Sequence, residues 1–400
     1  MTNTGKTYDV AVIGGGVIGT SCAYHLVKKG LTVALIERYD IARGTSSHCD
    51  AAALIVDKQP GEDALFGYNS IQRFLELQKD LDNDFCLEQS GCVYVCDTER
   101  EQEVAAQYAK DMRADGYDVS ALTPKELLER EPFLAKDLAG GLWSSIDLAL
   151  NPFKLCFAFV DQVKGKGLDL YTHTEAKNII LGEGNRVEGV ETNNGKILCK
   201  NVVNACGCWS PFIGNMIGID IPVKPRKGVI LISAPGFPIC FGKVQEFGYM
   251  ISKFSNFECE RDPELEKYGV SFTIEPTDGN NVLVGSSRNF AGFELNTEIE
   301  IIHVIAKRAC RFYPILKDIN CIRSYAGIRP FVPDHLPLIS DVEGVPGYYI
   351  ATGHEGDGIS MSPMTGRLIA EMISGEKPYM DMKPFSFNRY KEDPSRREMH

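Results

Sequence analysis

YDVAVIGGGVIGTSCAYHLVKKGLTVALIER, residues 8–38, decides the fold. Val10 to Ile13 read as a short apolar strand, and Ile18, Cys22 and Leu26 recur at helical spacing up to about Lys29. Leu31 to Ile36 supply a second strand, so the stretch is a βαβ unit. Its first turn carries three glycines. Gly14 permits the tight turn, Gly16 lets the backbone approach a pyrophosphate, and Gly19 lets helix pack on strand, with the helix N-terminus facing phosphate charge. Glu37 lies 18 positions after Gly19, where a carboxylate accepts hydrogen bonds from an adenosine ribose and repels a 2′-phosphate. The unit is a dinucleotide site, and by itself it serves a diffusing nicotinamide or a resident flavin.

The chain has 400 residues, enough for roughly two to three domains and a large buried core. A hydrophobic share of 44% and a charged share of 24% are those of a soluble globular protein. The formal net charge of -12 argues against nucleic acid or an anionic membrane as partner, because both demand surface Lys and Arg. No run approaches the roughly 18 consecutive apolar residues of a membrane span. The opening MTNTGKTYDV has no signal-peptide core, so a cytoplasmic location is expected. Thirteen cysteines, an odd and scattered count, do not form a disulfide framework, and none repeats CxxC spacing. No metal site is expected, and the cysteines read as small buried hydrophobes.

Farther along, Glu62 to Leu81 has the spacing of an amphipathic helix, and Thr123 caps a helix that Pro124 starts and Pro132 ends. Alternation around Asn194-Gly195 reads as a hairpin, ending in the apolar strand Val202 to Ala205 and then Gly207. Between about Pro211 and Tyr325 the runs GVILIS, VSFTI and NVLVGSS predict an antiparallel sheet, with a helix near Ile301 to Phe312. Near the end, GYYIATGHEGDGISMSPMTGRLIAEMISG is a strand, a glycine-rich turn and a helix from about Ser362 to Ile373, followed by a charged stretch that reads as a loose tail. Two glycine-rich strand-to-helix junctions at opposite ends of one chain suggest a single elongated ligand held at both ends. A helix beginning behind Gly356 and Gly358 aims N–H groups at it, which favours the negative charge of a reduced flavin.

With VAVIGGGVIG, Glu37-Arg38, ARGTSSH (42–48), VVNACGCWSP (202–211), IPVKPRKG (221–228), VLVGSSRNFAGFE (282–294) and SYAGIRPFVPDHLPLI before GYYIATGHEGDGISMSP, the chain resembles a known group. It is similar to the D-amino-acid oxidase, glycine oxidase and sarcosine oxidase superfamily of FAD-dependent amine oxidoreductases. The motifs span nearly the whole chain in the family's order. Its ending looks most like the glycine-dehydrogenase-type subunit of hydrogen cyanide synthase and the catalytic subunits of D-hydroxyproline or dye-linked proline dehydrogenases. The resemblance implies an α/β (α+β) fold, with a Rossmann-like FAD-binding domain from residues 1–80, 151–210 and 326–385. An antiparallel-sheet substrate domain would come from 81–150 and 211–325, with 386–400 as a C-terminal tail. It also implies that Gly14, Gly16 and Gly19 hold the pyrophosphate and that Glu37, with Arg38 beside it, holds the ribose. Thr45, Ser46 and Ser47 would lie beside pyrophosphate and flavin, Ala176 at adenine, and Ala205 and Gly207 along the nucleotide. Gly356, Asp357, Gly358, Ile359 and Ser360 would wrap the flavin ring.

Departures from the family pattern carry their own expectations. Sarcosine oxidases tether FAD through a cysteine before a TPD-like motif; here AGIRPFVPD has none, so FAD is expected to be non-covalent. His48 and Cys49 stand where relatives carry small or amide residues, and active-site lining, a partner-cofactor contact and packing all remain open for them. Among candidate catalytic residues, Arg329 in GIRP is an arginine inside an apolar run, and the resemblance to glycine oxidase places it on a substrate carboxylate. His354 and Glu355 either reach substrate or flavin or satisfy each other, and His335 reads as a turn contact. Tyr249 and Phe272 either roof the pocket or pack in the core; Lys227 is an oxygen or flavin contact or a surface lysine.

The expected reaction is hydride transfer from the carbon bearing an amine to flavin, on D-proline, hydroxyproline, glycine or sarcosine-type substrates, by a dehydrogenase in preference to an oxidase. The alternative is an electron-transferring catalytic subunit of a multi-subunit complex, inactive alone, whose redox partner subunit carries further cofactors. A nicotinamide-dependent dehydrogenase explains only the N-terminal unit.

Overall fold

The computed structural model describes residues 6–58, 61–82, 84–248, 250 and 262–398. Tyr249 lies outside the described residues. The N-terminal strand β1 (Thr7–Ile13) leads into helix α1 (Val17–Lys28) and strand β2 (Val33–Ile36). β1 sits in the middle of an eight-stranded sheet, paired in parallel with β2 on one side and with Gly195–Asn204 on the other. Covered on both faces, it is a near-continuous apolar run. The strand Tyr348–Thr352 pairs in parallel with Gly195–Asn204, so the two ends of the chain meet in one sheet. The predicted hairpin is present as Val187–Thr192 against Gly195–Asn204.

The C-terminal helix Gly358–Ile373 packs on α1 closely enough that a Cβ on Gly366 would fall 2.3 Å from Ser21 Oγ. Ser21 also donates to the Ser362 carbonyl at 2.7 Å. This helix starts a turn earlier than predicted. Pro363 cannot supply the amide that the Ile359 carbonyl would receive within the helix, and the Ser362 hydroxyl donates to that carbonyl instead, at 3.0 Å. Pro363 therefore stands in the second turn of the helix.

The second sheet also has eight strands, in the order Cys321–Phe331, Lys224–Ser233, Val282–Gly285, Thr273–Pro276, Lys243–Glu246, Cys92–Cys96, Gly140–Ser144 and Val119–Leu122. Its pairs are antiparallel except Lys243–Glu246 with Cys92–Cys96, which is parallel. The predicted boundary at residue 326 falls inside the strand Cys321–Phe331, which pairs with Lys224–Ser233 out to Phe331. The whole strand, Arg329 included, belongs to the second sheet.

Helix Ile299–Phe312 covers one face of this sheet, where Phe272 is buried and stacks on Phe312 at 4.7 Å. Phe272 is therefore core and not pocket roof. The C-terminal stretch is not loose. Phe387, Arg389 and Tyr390 are buried, and Arg389 holds Asp334 with Nε at 2.6 Å and Nη2 at 2.9 Å while the Tyr390 hydroxyl donates to it at 2.7 Å. Part of the charge that suggested a tail, that of Arg389 and Arg396, is spent on the buried Asp334.

Candidate active site

Between the two sheets runs a cavity of about 1370 Å³. One end is built by the βαβ turn. The Cβ that Gly14 lacks would fall 2.5 Å from the Ala205 carbonyl oxygen, and the one that Gly19 lacks 1.8 Å from the Gly14 carbonyl oxygen. With Gly14 at φ +111°, glycine is required there for conformation and for space. Gly14, Gly16, Val17 and Ile18 line the cavity, so α1 begins at its wall. Glu37 Oε2 accepts from the Gly15 N–H at 2.7 Å and Oε1 from the Tyr39 N–H at 2.8 Å. Each oxygen keeps a lone pair for a hydroxyl. Arg38 lies over the Trp209 ring at 4.6 Å.

Thr45 and Ser47 line the same cavity, as does Ser46, whose Oγ accepts from the Val17 N–H at 3.0 Å. Thr45 donates to the Ile328 carbonyl at 2.6 Å, tying this segment to the strand that carries Arg329. Ala176, Ala205 and Gly207 complete the nucleotide end. Gly356, Gly358 and Ile359 line the wall at the start of the C-terminal helix. Three of the candidates stand behind the wall. Gly19 packs against the Gly14 turn, Ser360 accepts from the Leu54 N–H at 3.2 Å, and Asp357 pairs with Lys58 at 2.6 Å.

At the other end, Arg329 donates from Nη1 to the Ser287 carbonyl at 3.0 Å and from Nη2 to Ser286 Oγ at 3.2 Å. Gly228 and Gly356 flank it, and all three residues line the cavity. His354 lines it as well, but its ring is committed. The Thr365 hydroxyl donates to the Met361 carbonyl (2.9 Å) and so accepts from His354 Nε2–H (2.9 Å). Burial pulls this imidazole down to about 3, so at neutral pH it is uncharged and offers no acidic proton.

His354 and Glu355 do not satisfy each other. Glu355 takes Arg226 Nη2 at 2.5 Å and His335 Nδ1 at 2.8 Å. Lys227 is buried, with its ammonium on Glu298 at 2.6 Å and the Asn296 carbonyl at 3.1 Å, away from the cavity lining. His48 and Cys49 both line the cavity, and burial raises the Cys49 thiol well above its usual range.

Several site residues escaped the sequence reading. Asp50 and Glu275 line the cavity, and the buried Lys243 ammonium is bonded to both carboxylates, at 3.0 Å to Glu275. A signal for Glu275 existed: strand alternation puts Thr273 and Glu275 on the face opposite Phe272 and Ile274. Lys58, fully buried between Asp57 and Asp357, had no signal beyond its type. Among the described residues no cluster of His, Cys, Asp and Glu could hold a metal ion, and no helix is long and apolar enough to cross a membrane.

The glycine cradle, the two helix starts and the volume of the cavity fit a dinucleotide with an attached ring system. Comparison with known proteins points the same way. Residues 9–372 match the family described as FAD dependent oxidoreductase, DAO. Hydrogen cyanide synthase subunit HcnC of Pseudomonas protegens is 29% identical over 98% of this chain and 99% of its own length. Glycine oxidase of Geobacillus kaustophilus is 28% identical over 96% of this chain and 97% of its own length. The crystal structure of glycine oxidase from that organism superposes with a TM-score of 0.84 at 26% identity, covering 96% of this chain and 99% of that one.

Proposed function

The chain belongs to the DAO family of FAD-dependent oxidoreductases, and from that premise we propose that it oxidises the C–N bond of a small amino acid or amine to an imine. D-Proline, hydroxyproline, glycine and sarcosine are the substrate types. FAD, when bound, supplies the two-electron acceptor for the hydride. Gly14 and Gly16 with the start of α1 would hold its pyrophosphate, with Gly19 packed behind them, Glu37 its ribose, and the wall of Gly356, Gly358 and Ile359 its ring. Non-covalent attachment is supported by the Cys49 and Cys206 thiols, which line the cavity and which burial raises, leaving both thiols protonated and poorly nucleophilic.

The observation that carries the amino-acid reading is Arg329. Its guanidinium stands at the cavity wall, hydrogen-bonded to Ser287 O and Ser286 Oγ, and presents a planar fork of donors of the kind that pairs with a carboxylate. Anchoring the carboxylate there fixes the reacting carbon and turns an encounter into an oriented one. His354, neutral and locked on Thr365, shapes the wall and exchanges no proton near neutral pH.

The test is the absorption spectrum of the purified protein followed by anaerobic addition of the substrate panel. Oxidised-flavin absorption should bleach with at least one amine. A flavin-loaded protein that no member reduces refutes the reading.

A second reading, a catalytic subunit that passes electrons to a partner carrying further redox centres, is favoured by one observation: the relative from Pseudomonas protegens is named a subunit. On this reading the enzyme acts as a dehydrogenase in preference to an oxidase. Reduced enzyme that reoxidises quickly with an artificial dye and slowly with oxygen supports this reading, and rapid peroxide formation from oxygen overturns it.

A further inference from the structure

Arg329 recognises a carboxylate, and a carboxylate alone does not distinguish an amino acid from any other small acid. The same cavity is also lined by a group for the other charge. Asp50 follows His48 and Cys49 in the loop under the second sheet, and 39% of its side chain is open although Lys243 grips Oδ2; the cavity is what it opens onto. One lysine serves two carboxylates here. Lys243 also holds Glu275, whose other oxygen accepts from the Ala51 N–H at 2.8 Å and so fixes the loop that carries Asp50.

From the Arg329 guanidinium the lining steps over Ser286 and Gly285 to Thr273, the register partner of Gly285, and on to Glu275. Thr273 Oγ1 is buried without a hydrogen-bond partner. Burial opposes the charge on Asp50, yet Lys243 and Arg329 outweigh it and keep its carboxyl below the usual range. Lys243, Arg329 and Glu275 all act on the Asp50 charge, and Lys243 bonds to its Oδ2.

We propose that Asp50, held by Lys243 and Glu275, is a specificity-determining residue that takes the positive charge on the substrate's nitrogen while Arg329 takes its carboxylate. This rests on the amino-acid reading above and adds to it. A nitrogen that loses hydride from its neighbouring carbon develops iminium charge, and a fixed carboxylate beside it stabilises that charge as it forms. Lys243 and Glu275 are positioning residues: with Lys243 shared, Asp50 keeps charge for a second cation.

The experiment uses the FAD-loaded enzyme, the panel amine that reduces it best, and pyrrole-2-carboxylate, which has the carboxylate but a nitrogen that carries no charge. Anaerobic stopped-flow gives the amine's Kd and reduction rate, and the flavin absorption change gives the Kd of the analogue. Asp50→Asn should weaken the amine at least tenfold in kred/Kd and change the analogue's Kd less than twofold. Glu275→Gln, which leaves Lys243 to Asp50 alone, should move the amine the same way by a smaller factor, and serves should Asp50→Asn fail to load flavin. Arg329→Ala should weaken both ligands. Equal loss of amine and analogue in the two acidic-site variants, or no loss of either, overturns the assignment. Failure of wild type to bind any carboxylate or be reduced by any amine removes the parent reading instead, a distinct result.

Discussion

The guanidinium of Arg329 occupies the space a side chain at position 228 would need: a Cβ built on Gly228 falls 2.3 Å from Nη1 and 2.6 Å from Nη2. The two residues sit on neighbouring strands, with Arg329 opposite Arg226 and Gly228 opposite Gly327. Gly228→Ala should therefore push the guanidinium aside without breaking the sheet, because what yields is the end of a flexible side chain. We expect normal flavin content and a loss of about 1.5–3 kcal/mol in carboxylate binding, the worth of a hydrogen-bonded charge. Titrating the loaded variant with pyrrole-2-carboxylate checks this; unchanged affinity contradicts the role given to Arg329.

At Gly19 the obstacle is main chain. A Cβ there meets the Gly14 carbonyl oxygen at 1.8 Å, so Gly19→Ala must part α1 from the strand it packs on. The expected outcome is protein purified with little or no flavin and destabilised by about 1–3 kcal/mol. Gly16→Ala is the milder partner, since its Cβ meets only Ser46 Oγ at 3.2 Å. It should fold with a near-normal melting temperature and bind FAD more weakly. Flavin-to-protein absorbance ratios and thermal unfolding separate the two.

The βαβ unit was legible because its signals are local: strand, turn glycines and Glu37 fall within one stretch of 31 residues. Arg329 could be picked out because a charge in an apolar run needs a reason. Asp50, Lys243 and Glu275 could not, since what makes them a group is the packing of a loop against two strands distant in sequence. Strand alternation put Phe272 on one face, and only the structure shows that this face meets helix Ile299–Phe312. The C-terminal stretch misled through composition: Arg389 reads as surface charge until Asp334, 55 positions earlier, is seen to bind it.

Lys58 is fully buried, with its ammonium 2.6 Å from Asp57 and 2.6 Å from Asp357 at the start of the C-terminal helix. Burial disfavours its charge, but the neighbouring carboxylates outweigh that and hold it protonated. Lys58→Met should cost about 3–5 kcal/mol, because it removes a buried ammonium that two carboxylates share. Adding Asp357→Asn should restore part of that loss. Urea unfolding of wild type, Lys58→Met, Asp357→Asn and the double variant measures it, and an additive result would contradict a direct pairing.

Glu131 gives a pH dependence of definite sign. It is buried after helix Pro124–Arg130, taking the Tyr313 hydroxyl at 2.9 Å and the Phe241 N–H at 3.2 Å. Burial pushes its carboxyl up to about 7 from an ordinary 4.5, more than these hydrogen bonds pull it down. Below the ordinary value both folded and unfolded chains hold the proton, and the full contribution to stability is present. As pH rises from about 4.5 to about 7 the unfolded chain releases it first, so stability falls across that window and is lost above it. Glu131→Gln has no proton to release. Comparing unfolding free energies at pH 5 and pH 8, the variant should gain on wild type by about 2–3 kcal/mol, at roughly 1.4 kcal/mol per unit. Asp147, likewise raised to about 7 by burial, acts on both proteins alike and cancels in the difference. A gap between wild type and variant that stays constant with pH would mean that Glu131 ionises in the fold as it does in water.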